Sequence, residues 1–197
     1  MATQTPTKSE SQRSREGVGS TGALIGAAAA GIAVGLAANF GRKLAAQAPT
    51  AMAGDWMTGL VAEHQMALKL FDALQATTIK NTTKRSIFLA QLKHALAKHA
   101  LQEENVIYPA LREAGDKDGA DHLTHDHGYV KQYLYELEAM PKDGARFMEK
   151  LAEFRTDIEK HMREEEGDLF PSLKARLSAE KNKRLTTLMN KEGFKLA

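Results

Sequence analysis

The chain has 197 residues, a formal net charge of +2, an apolar fraction of 43% and no cysteine. Such a small net charge does not indicate a nucleic acid partner, and we expect none. Without cysteine, disulfides, thiolate metal sites and cysteine nucleophiles are excluded, so a transition-metal site must use histidine and carboxylate ligands. Leucine, alanine, lysine, glutamate and methionine dominate over aromatic residues and proline, which favours helices.

The part of the chain before residue 55 falls into three zones of different composition. Residues 1–21 are polar and predict a disordered tail. Residues 22–40 carry no charge, and their glycines follow the small-xxx-small pattern of packed membrane helices. The Gly/Ala-rich segment as a whole covers 22–44. Because alanine and glycine supply most of it, its hydrophobicity is marginal, and both a membrane helix and a soluble or oligomerising helix stay open. Residues 45–54 have the composition of a linker.

The apolar run at 22–40 also bears on the location of the protein. Residues 51–53 resemble a signal cleavage site, but Arg42 and Lys43 directly after the run argue against secretion. Basic residues flank the run on both sides, so they set no orientation in a membrane. We expect a cytoplasmic protein, with membrane association through 22–40 and formation of a homo-oligomer as open alternatives.

Downstream of the linker, apolar residues recur at steps of three and four, the pattern of helices packed in a bundle. Four such stripes are separated by turn signals at 81–83, 114–116 and 141–144. Because short connections make neighbouring helices antiparallel, the sequence predicts an all-α, up-down-up-down four-helix bundle over 55–177. A short C-terminal helix or tail follows at 178–197.

Polar residues interrupt each stripe where a leucine or valine would continue the core. These candidate metal ligands are His64, His99, Glu103, His127, His161 and Glu165. A lone histidine on an apolar stripe is usually a hydrogen-bonded core residue, but here six polar residues share core positions on four helices. Leaving a buried carboxylate unpaired costs several kcal/mol, so the group is expected to share a cation.

The second and fourth predicted helices contain two copies of one motif. HALQEENVIYPAL begins at His99 and HMREEEGDLFPSL begins at His161, and both read H-x-x-x-E-E-x-x-x-aromatic-P-x-L. The first and third helices match more loosely, as Glu63-His64 and Asp126-His127. The chain therefore contains two copies of a helical hairpin, and packing them about a pseudo-twofold axis brings the six side chains into one layer.

The spacing within each motif suits metal chelation. Residues four apart share a helix face, so His99 with Glu103, and likewise the second His-x-x-x-Glu pair, can bind from one side. Four imidazoles and two carboxylates exceed the needs of one tetrahedral zinc and suit two metals with bridging carboxylates, a bridging oxygen and an open position. Imidazole and carboxylate without sulfur are appropriate for non-haem iron or manganese, and manganese is the less favoured of the two.

On these residues the sequence resembles the hemerythrin-like, HHE cation-binding family over about residues 55–175. The resemblance rests on Glu63-His64, His99-x-x-x-Glu103 with Tyr108-Pro109, Asp126-His127, and His161-x-x-x-Glu165 with Phe170-Pro171. It implies two iron ions with an oxo or hydroxo bridge, both also bridged by Glu103 and Glu165. The histidines of the first two helices would bind one iron, and those of the last two the other. Members of the family bind dioxygen reversibly, sense oxygen, iron or nitric oxide, or react with peroxide.

Two departures from the oxygen-carrying hemerythrins affect the expected chemistry. Those proteins have a further histidine four residues from the third-helix ligand, where this chain has Leu123 and Lys131. They also use a bridging aspartate five residues after the last histidine, where this chain has Glu166, and Glu165 is the better candidate. One protein ligand fewer leaves a more open site, which favours sensing or redox chemistry over stable oxygen carriage.

Residues beside the candidate ligands receive structural interpretations. Tyr108 and Phe170 are expected to pack above the proline turns. Glu104 and Glu166, together with Glu164, form a charge run that is expected to be solvated, with assistance to the metal by Glu104 or Glu166 left open.

The sequence thus predicts a non-haem di-iron protein that binds or senses O2 or a related small molecule, NO or peroxide. The alternatives are a di-iron enzyme acting on peroxide or NO, an iron storage or delivery protein, and a membrane-tethered helical adaptor. A classical enzyme is less favoured because the stripes carry no separate acid–base residue, and no catalytic residue is assigned.

Overall fold

The computed structural model describes Met1, Gly41, Lys43, Gln47 and residues 50–197. The chain divides into two compact units, 1–41 and 42–197, and most of the first lies outside the described residues. The predictions for the polar tail and for the apolar run at 22–40 therefore concern residues that the structure does not describe. Among the residues that it does describe, no helix has the length and apolar character needed to cross a membrane.

From residue 55 onward the chain forms seven α-helices and no strand. They are α1 Trp56–Gln75, α2 Thr82–Gln102, α3 Tyr108–Glu113, α4 Lys117–Ala139, α5 Ala145–Glu164, α6 Phe170–Arg176 and α7 Ala179–Leu196. The four long helices α1, α2, α4 and α5 correspond to the four predicted stripes. The prediction of an all-helical bundle is confirmed, and the up-down-up-down order of its helices stays a prediction.

The local sequence explains where several helices begin. Asp55 and Asp116 cap α1 and α4 by accepting hydrogen bonds from backbone N–H groups of the first turn, and Ser178 caps α7 in the same way. Gly115 lies in the turn between α3 and α4 with a φ of +93°, a backbone conformation that a side chain would strain.

The second and fifth helices each continue through a π-helical turn into the helix that follows. These turns, Glu103–Ile107 and Glu165–Leu169, begin at a candidate ligand and end just before an aromatic residue and a proline. In the first turn the N–H of Tyr108 donates to the carbonyl of Glu103, five residues earlier. Residues five apart would lie about 140° apart around an α-helix, but a π turn brings them onto one face.

The candidate ligands lie between two apolar clusters. Along α1, Trp56 and Leu60 precede His64 and belong to a cluster that α7 completes with Met189. Phe71 follows His64 and belongs to a second cluster at the other side of the ligand layer. The ligand layer is therefore flanked by hydrophobic packing on two sides.

Phe154 is fully buried in the second cluster, where its ring contacts those of Phe71 and Tyr133. Phe154→Ala should lower the free energy of unfolding by about 3–5 kcal/mol because it removes a buried ring and leaves a cavity. Ile87→Ala, at a residue that is 51% exposed, is the control and should change it by at most about 0.5 kcal/mol. Urea unfolding followed by circular dichroism measures both, and equal values for the two variants would contradict this description of the core.

Candidate metal centre

The six side chains that the sequence selected come together in one buried layer, and none of them is more than 6% exposed. They form two overlapping groups, His64, His99, Glu103 and Glu165, and Glu103, His127, His161 and Glu165. Within each group, one ligand atom of every residue lies within 4.8 Å of the others. Two carboxylates that belong to both groups give the arrangement that a pair of metal ions with bridging carboxylates requires.

Each shared glutamate contacts histidines from both hairpins. Glu103 Oε2 lies 3.1 Å from Nε2 of His99 in its own motif and 3.4 Å from Nε2 of His127 in the other hairpin. Glu165 Oε2 lies 3.4 Å from Nε2 of the histidine in its own motif and 3.4 Å from Nε2 of His64. The two glutamates therefore join the halves of the internal repeat.

The residue that follows each shared glutamate also faces a histidine. His64 Nδ1 donates to Glu166 Oε1 at 2.6 Å, and His127 Nδ1 donates to Glu104 Oε1 at 3.0 Å. Glu104 and Glu166 are partly buried and not simply part of a solvated charge run. The repeated Glu-Glu pair was the signal in the sequence, since each copy supplies one glutamate to the centre and one to an imidazole of the other hairpin.

Glu63 and Asp126, which precede the first histidine of each hairpin, each contact Nδ1 of the other histidine of the same hairpin. His99 Nδ1 donates to Glu63 Oε2 at 3.2 Å, and His161 Nδ1 contacts Asp126 Oδ2 at 3.4 Å. An ionised carboxylate can only accept, so each ring donates from Nδ1 and directs Nε2 toward the centre, where a neutral imidazole offers its lone pair. The acidic residue before a histidine in both hairpins was visible in the sequence, but only the structure shows that its partner is on the neighbouring helix.

Glu63 and Asp126, the carboxylates that precede the first histidine of each hairpin, have different surroundings. Glu63 is buried and forms an ion pair with buried Lys98 at 2.5 Å, and it accepts a hydrogen bond from Thr50 at 2.5 Å. Burial raises the pKa of Glu63, but His99 and Lys98 outweigh burial and lower it to about 2. Asp126, its counterpart, is 27% exposed. His99 is therefore tied to a deeper and more extensive hydrogen-bond network than the corresponding histidine.

Charge pairing within the layer shifts several pKa values. Burial raises the pKa of Glu103, but the neighbouring His99 and His127 hold it well below its usual value. Burial lowers the pKa of His127, but its hydrogen bonds to Glu103 and Glu104 raise it to about 9. The hydrogen bond from His127 is the main cause that lowers the pKa of Glu104 to about 2. Glu103 and Glu104 therefore carry negative charge at neutral pH.

Three buried atoms that face the centre have no hydrogen-bond partner within the described part of the chain, namely Glu103 Oε1, His161 Nε2 and Glu165 Oε2. In addition, the Nε2 atoms of His64 and His99 lie 2.8 Å apart although Nδ1 of each already donates to a carboxylate. Buried acceptors without partners are costly, and a cation among them would satisfy all of them. The donor set and its geometry therefore fit metal ions.

Tyr108 contacts the centre and is more than the packing residue that the sequence suggested. Its hydroxyl donates to Glu165 Oε1 at 2.8 Å and lies 3.0 Å from His127 Nε2. At the equivalent position of the other motif, Phe170 has no hydroxyl and its ring stacks on His64 at 6.5 Å. The two halves of the centre are therefore chemically different.

A cavity of about 300 Å³ reaches the centre from the surface between α2 and α4. All four histidines of the centre line its inner end. Its walls are mostly aliphatic, and its rim carries the ion pairs Lys93–Glu138 and Lys131–Glu104. The cavity gives small molecules a route to the histidine layer.

Fold and site together define a class of protein, a helical bundle whose buried histidines and glutamates form a site for cations. The family model "Hemerythrin HHE cation binding domain" matches residues 58–173. The chain belongs to the hemerythrin HHE cation-binding family, and the resemblance seen in the sequence is confirmed.

Two curated relatives share part of the chain. A protein of Schizosaccharomyces pombe described as an uncharacterized hemerythrin-like protein is 33% identical over 90 residues, which make up 44% of this chain and 44% of that protein. A protein of Nostoc sp. described as a DNA nickase is 25% identical over 125 residues, 64% of this chain and 35% of that protein. The chain thus spans less than half the length of each relative, and no solved structure matches it significantly.

The metal-free protein should lose stability as the pH rises from about 6.5 to about 9. His127 has a pKa of about 9 in the folded protein against an ordinary value of 6.5, and the pKa values of His64 and His99 are also raised. A raised pKa contributes stability that is complete below the unfolded value and disappears as the pH passes the folded value. Urea unfolding of the metal-free protein across this range measures the effect.

Two variants distinguish this cause from other titrations. His127→Gln should reduce the loss of stability, whereas His94→Gln, at an exposed histidine, should leave it unchanged. A free energy of unfolding that rises with pH in the unmodified chain would contradict the assignment of these protons.

Proposed function

We propose that this protein is a non-haem di-iron protein that binds or senses O2 or a related small molecule, NO or peroxide. The observation that carries the proposal is the pair of buried carboxylates common to two groups of histidines, with acceptor atoms that have no partner. Iron is favoured over manganese because four of the six donors are imidazoles, which suit iron, whereas manganese prefers oxygen ligands. The bundle at 55–177 is proposed to be an antiparallel up-down-up-down domain, as in the family that the chain resembles.

The ligand assignment follows from the two groups. One iron would be held by His64 and His99, the other by the two histidines of the second hairpin, and Glu103 and Glu165, which belong to both groups, would be shared by the two irons. The bound irons supply a reversible change of oxidation state and a coordination position for a small ligand. Side chains of the bundle orient the ligands and control access to the site.

Those side chains orient the centre and control access to it. The four carboxylates on Nδ1 fix the ring orientation and protonation state of each histidine. Tyr108 holds Glu165 by a hydrogen bond and provides a proton next to the centre. The aliphatic walls of the cavity, such as Leu134 and Ile158, admit uncharged molecules and disfavour water at the inner end.

The iron-loaded protein tests this proposal directly. Elemental analysis should find two irons per chain, and the oxidised protein should show the absorption of an oxo-bridged di-iron centre that disappears on reduction. The reduced protein should then change its absorption when O2 or NO is added. Folded protein that takes up no iron, or an iron-loaded protein without such changes, would contradict the proposal. Uptake of many more than two irons per chain would favour storage.

One observation favours the enzyme as a second candidate. The sequence offered no acid–base residue on the stripes, but the structure puts the Tyr108 hydroxyl 3.0 Å from His127. Decomposition of two peroxide molecules to dioxygen and two waters requires proton transfer, which this hydroxyl is positioned to assist. Steady-state turnover of peroxide that falls in Tyr108→Phe, and not in the control Tyr129→Phe at an exposed tyrosine, would favour the enzyme.

Glu103 variants separate metal binding from stability. Both Glu103→Ala and Glu103→Leu should lose the bridged pair of metals. In metal-free protein near pH 6, the leucine variant should be about 3–5 kcal/mol less stable than the unmodified chain, because it removes the carboxylate that pairs with His99 and His127 and leaves their charge buried. The alanine variant should be about 2–4 kcal/mol less stable than the leucine variant because it leaves a cavity.

Elemental analysis and urea unfolding give these quantities for the two variants. Normal loading of two irons by Glu103→Leu would show that Glu103 does not bridge the metals.

Tyr108→Phe should keep the iron content and lower the reduction potential of the centre by roughly 20–60 mV, which corresponds to one hydrogen bond of about 0.5–1.5 kcal/mol. Without the hydroxyl, Glu165 becomes a stronger donor to the metals and stabilises the oxidised state. Spectroelectrochemical titration measures the potential, with Tyr129→Phe as the control. An unchanged potential in Tyr108→Phe would mean that this hydrogen bond does not act on the metals.

A further inference from the structure

The cavity between α2 and α4 is larger than the small molecules of the proposed function require. Its volume is about 300 Å³. A molecule such as O2 is close in size to water, which occupies about 30 Å³ in the liquid. The cavity therefore has roughly ten times the volume of one such molecule. Cavities that bind small organic molecules in proteins begin at about 300 Å³.

The chemical character of the walls is aliphatic along most of the path. The aliphatic and thioether side chains that line it are Leu96, Ala97, Ala100, Leu101, Val130, Leu134, Ile158 and Met162. Several of them are nearly fully buried, so they present methyl and methylene groups to the cavity and not to solvent. Such walls favour a hydrocarbon chain and disfavour a charged or strongly hydrated one.

The polar groups are confined to the two ends of the cavity. At the rim, Lys93 pairs with Glu138 at 2.7 Å, and Lys131 pairs with Glu104 at 2.9 Å. These charges already have partners, and both pairs are partly exposed, where such pairs contribute little and open easily. At the inner end, the histidine layer is the place where an oxygen atom of a ligand finds polar partners.

We propose that this cavity binds a neutral aliphatic molecule of medium length with one oxygen-bearing head group. The aliphatic part of this ligand lies along the walls formed by α2, α4 and α5, and its head group lies at the histidine layer. The inference rests on the proposed function, since it names the class of organic ligand that reaches the same metal centre.

A series of primary alcohols from butanol to octanol tests the inference by calorimetric titration of the iron-loaded protein. Each added methylene group should tighten the dissociation constant about fourfold, which corresponds to about 0.8 kcal/mol of buried hydrocarbon. The gain should stop once the chain outgrows the cavity. Octanol should also alter the visible absorption of the centre.

Two variants of α2, one with a new phenylalanine in the cavity and one with it outside, test where octanol binds. Ala100→Phe adds a ring at a half-buried position that lines the cavity and should weaken octanol binding by at least about tenfold. Ala90→Phe adds the same ring at an exposed position of the same helix outside the cavity and should leave octanol binding unchanged. Equal octanol binding by both variants, or equal affinity for butanol and octanol, would overturn the inference.

NO, which is uncharged and close in size to O2, separates the two proposals. If NO changes the absorption of the reduced, iron-loaded protein but octanol does not bind, the cavity inference is wrong and the di-iron proposal stands. If the folded protein retains no iron and NO has no effect, the di-iron proposal itself fails.

Discussion

The architecture of this bundle depends on one electrostatic requirement, that imidazoles and carboxylates buried in an apolar core must be satisfied together. Each histidine uses Nδ1 on an outer carboxylate and therefore directs a lone pair inward, toward glutamates such as Glu103 that are also acceptors. Acceptors that face acceptors are stable only with protons or cations among them. Apolar clusters lie on both sides of the layer, and its donor atoms are placed so that they could hold metal ions.

The internal repeat supplies this arrangement twice, and the differences between the copies give the site its individual character. One copy puts a hydroxyl, Tyr108, against the centre, whereas the other puts the phenyl ring of Phe170 against His64. One copy buries the outer carboxylate of Glu63 beside Lys98, whereas Asp126 is partly exposed. A symmetric ligand set with asymmetric surroundings would allow the two proposed metal positions to differ in affinity and in their access to small molecules.

Much of the site was predictable because its signals are local and repeated. A histidine and a glutamate four residues apart share one helix face, and finding the pair twice at core positions identified residues such as His99 and Glu165. The role of Tyr108 was not predictable, because it lies five residues from Glu103 and an α-helix would direct it elsewhere. The π turn at Glu103–Ile107 brings Tyr108 onto the same helix face as Glu103, and the amino-acid composition gives no sign of this turn. The outer carboxylates were visible as repeated acidic neighbours, but their partners lie on other helices.

The most direct test of the central claim is a crystal structure of the iron-loaded protein with anomalous diffraction measured on both sides of the iron absorption edge. The account predicts two iron peaks inside the bundle, each about 2.0–2.2 Å from imidazole nitrogens and carboxylate oxygens. Glu103 and Glu165 should contact both peaks. A single peak, or iron found only at surface carboxylates while the buried layer is held together by protons, would contradict it.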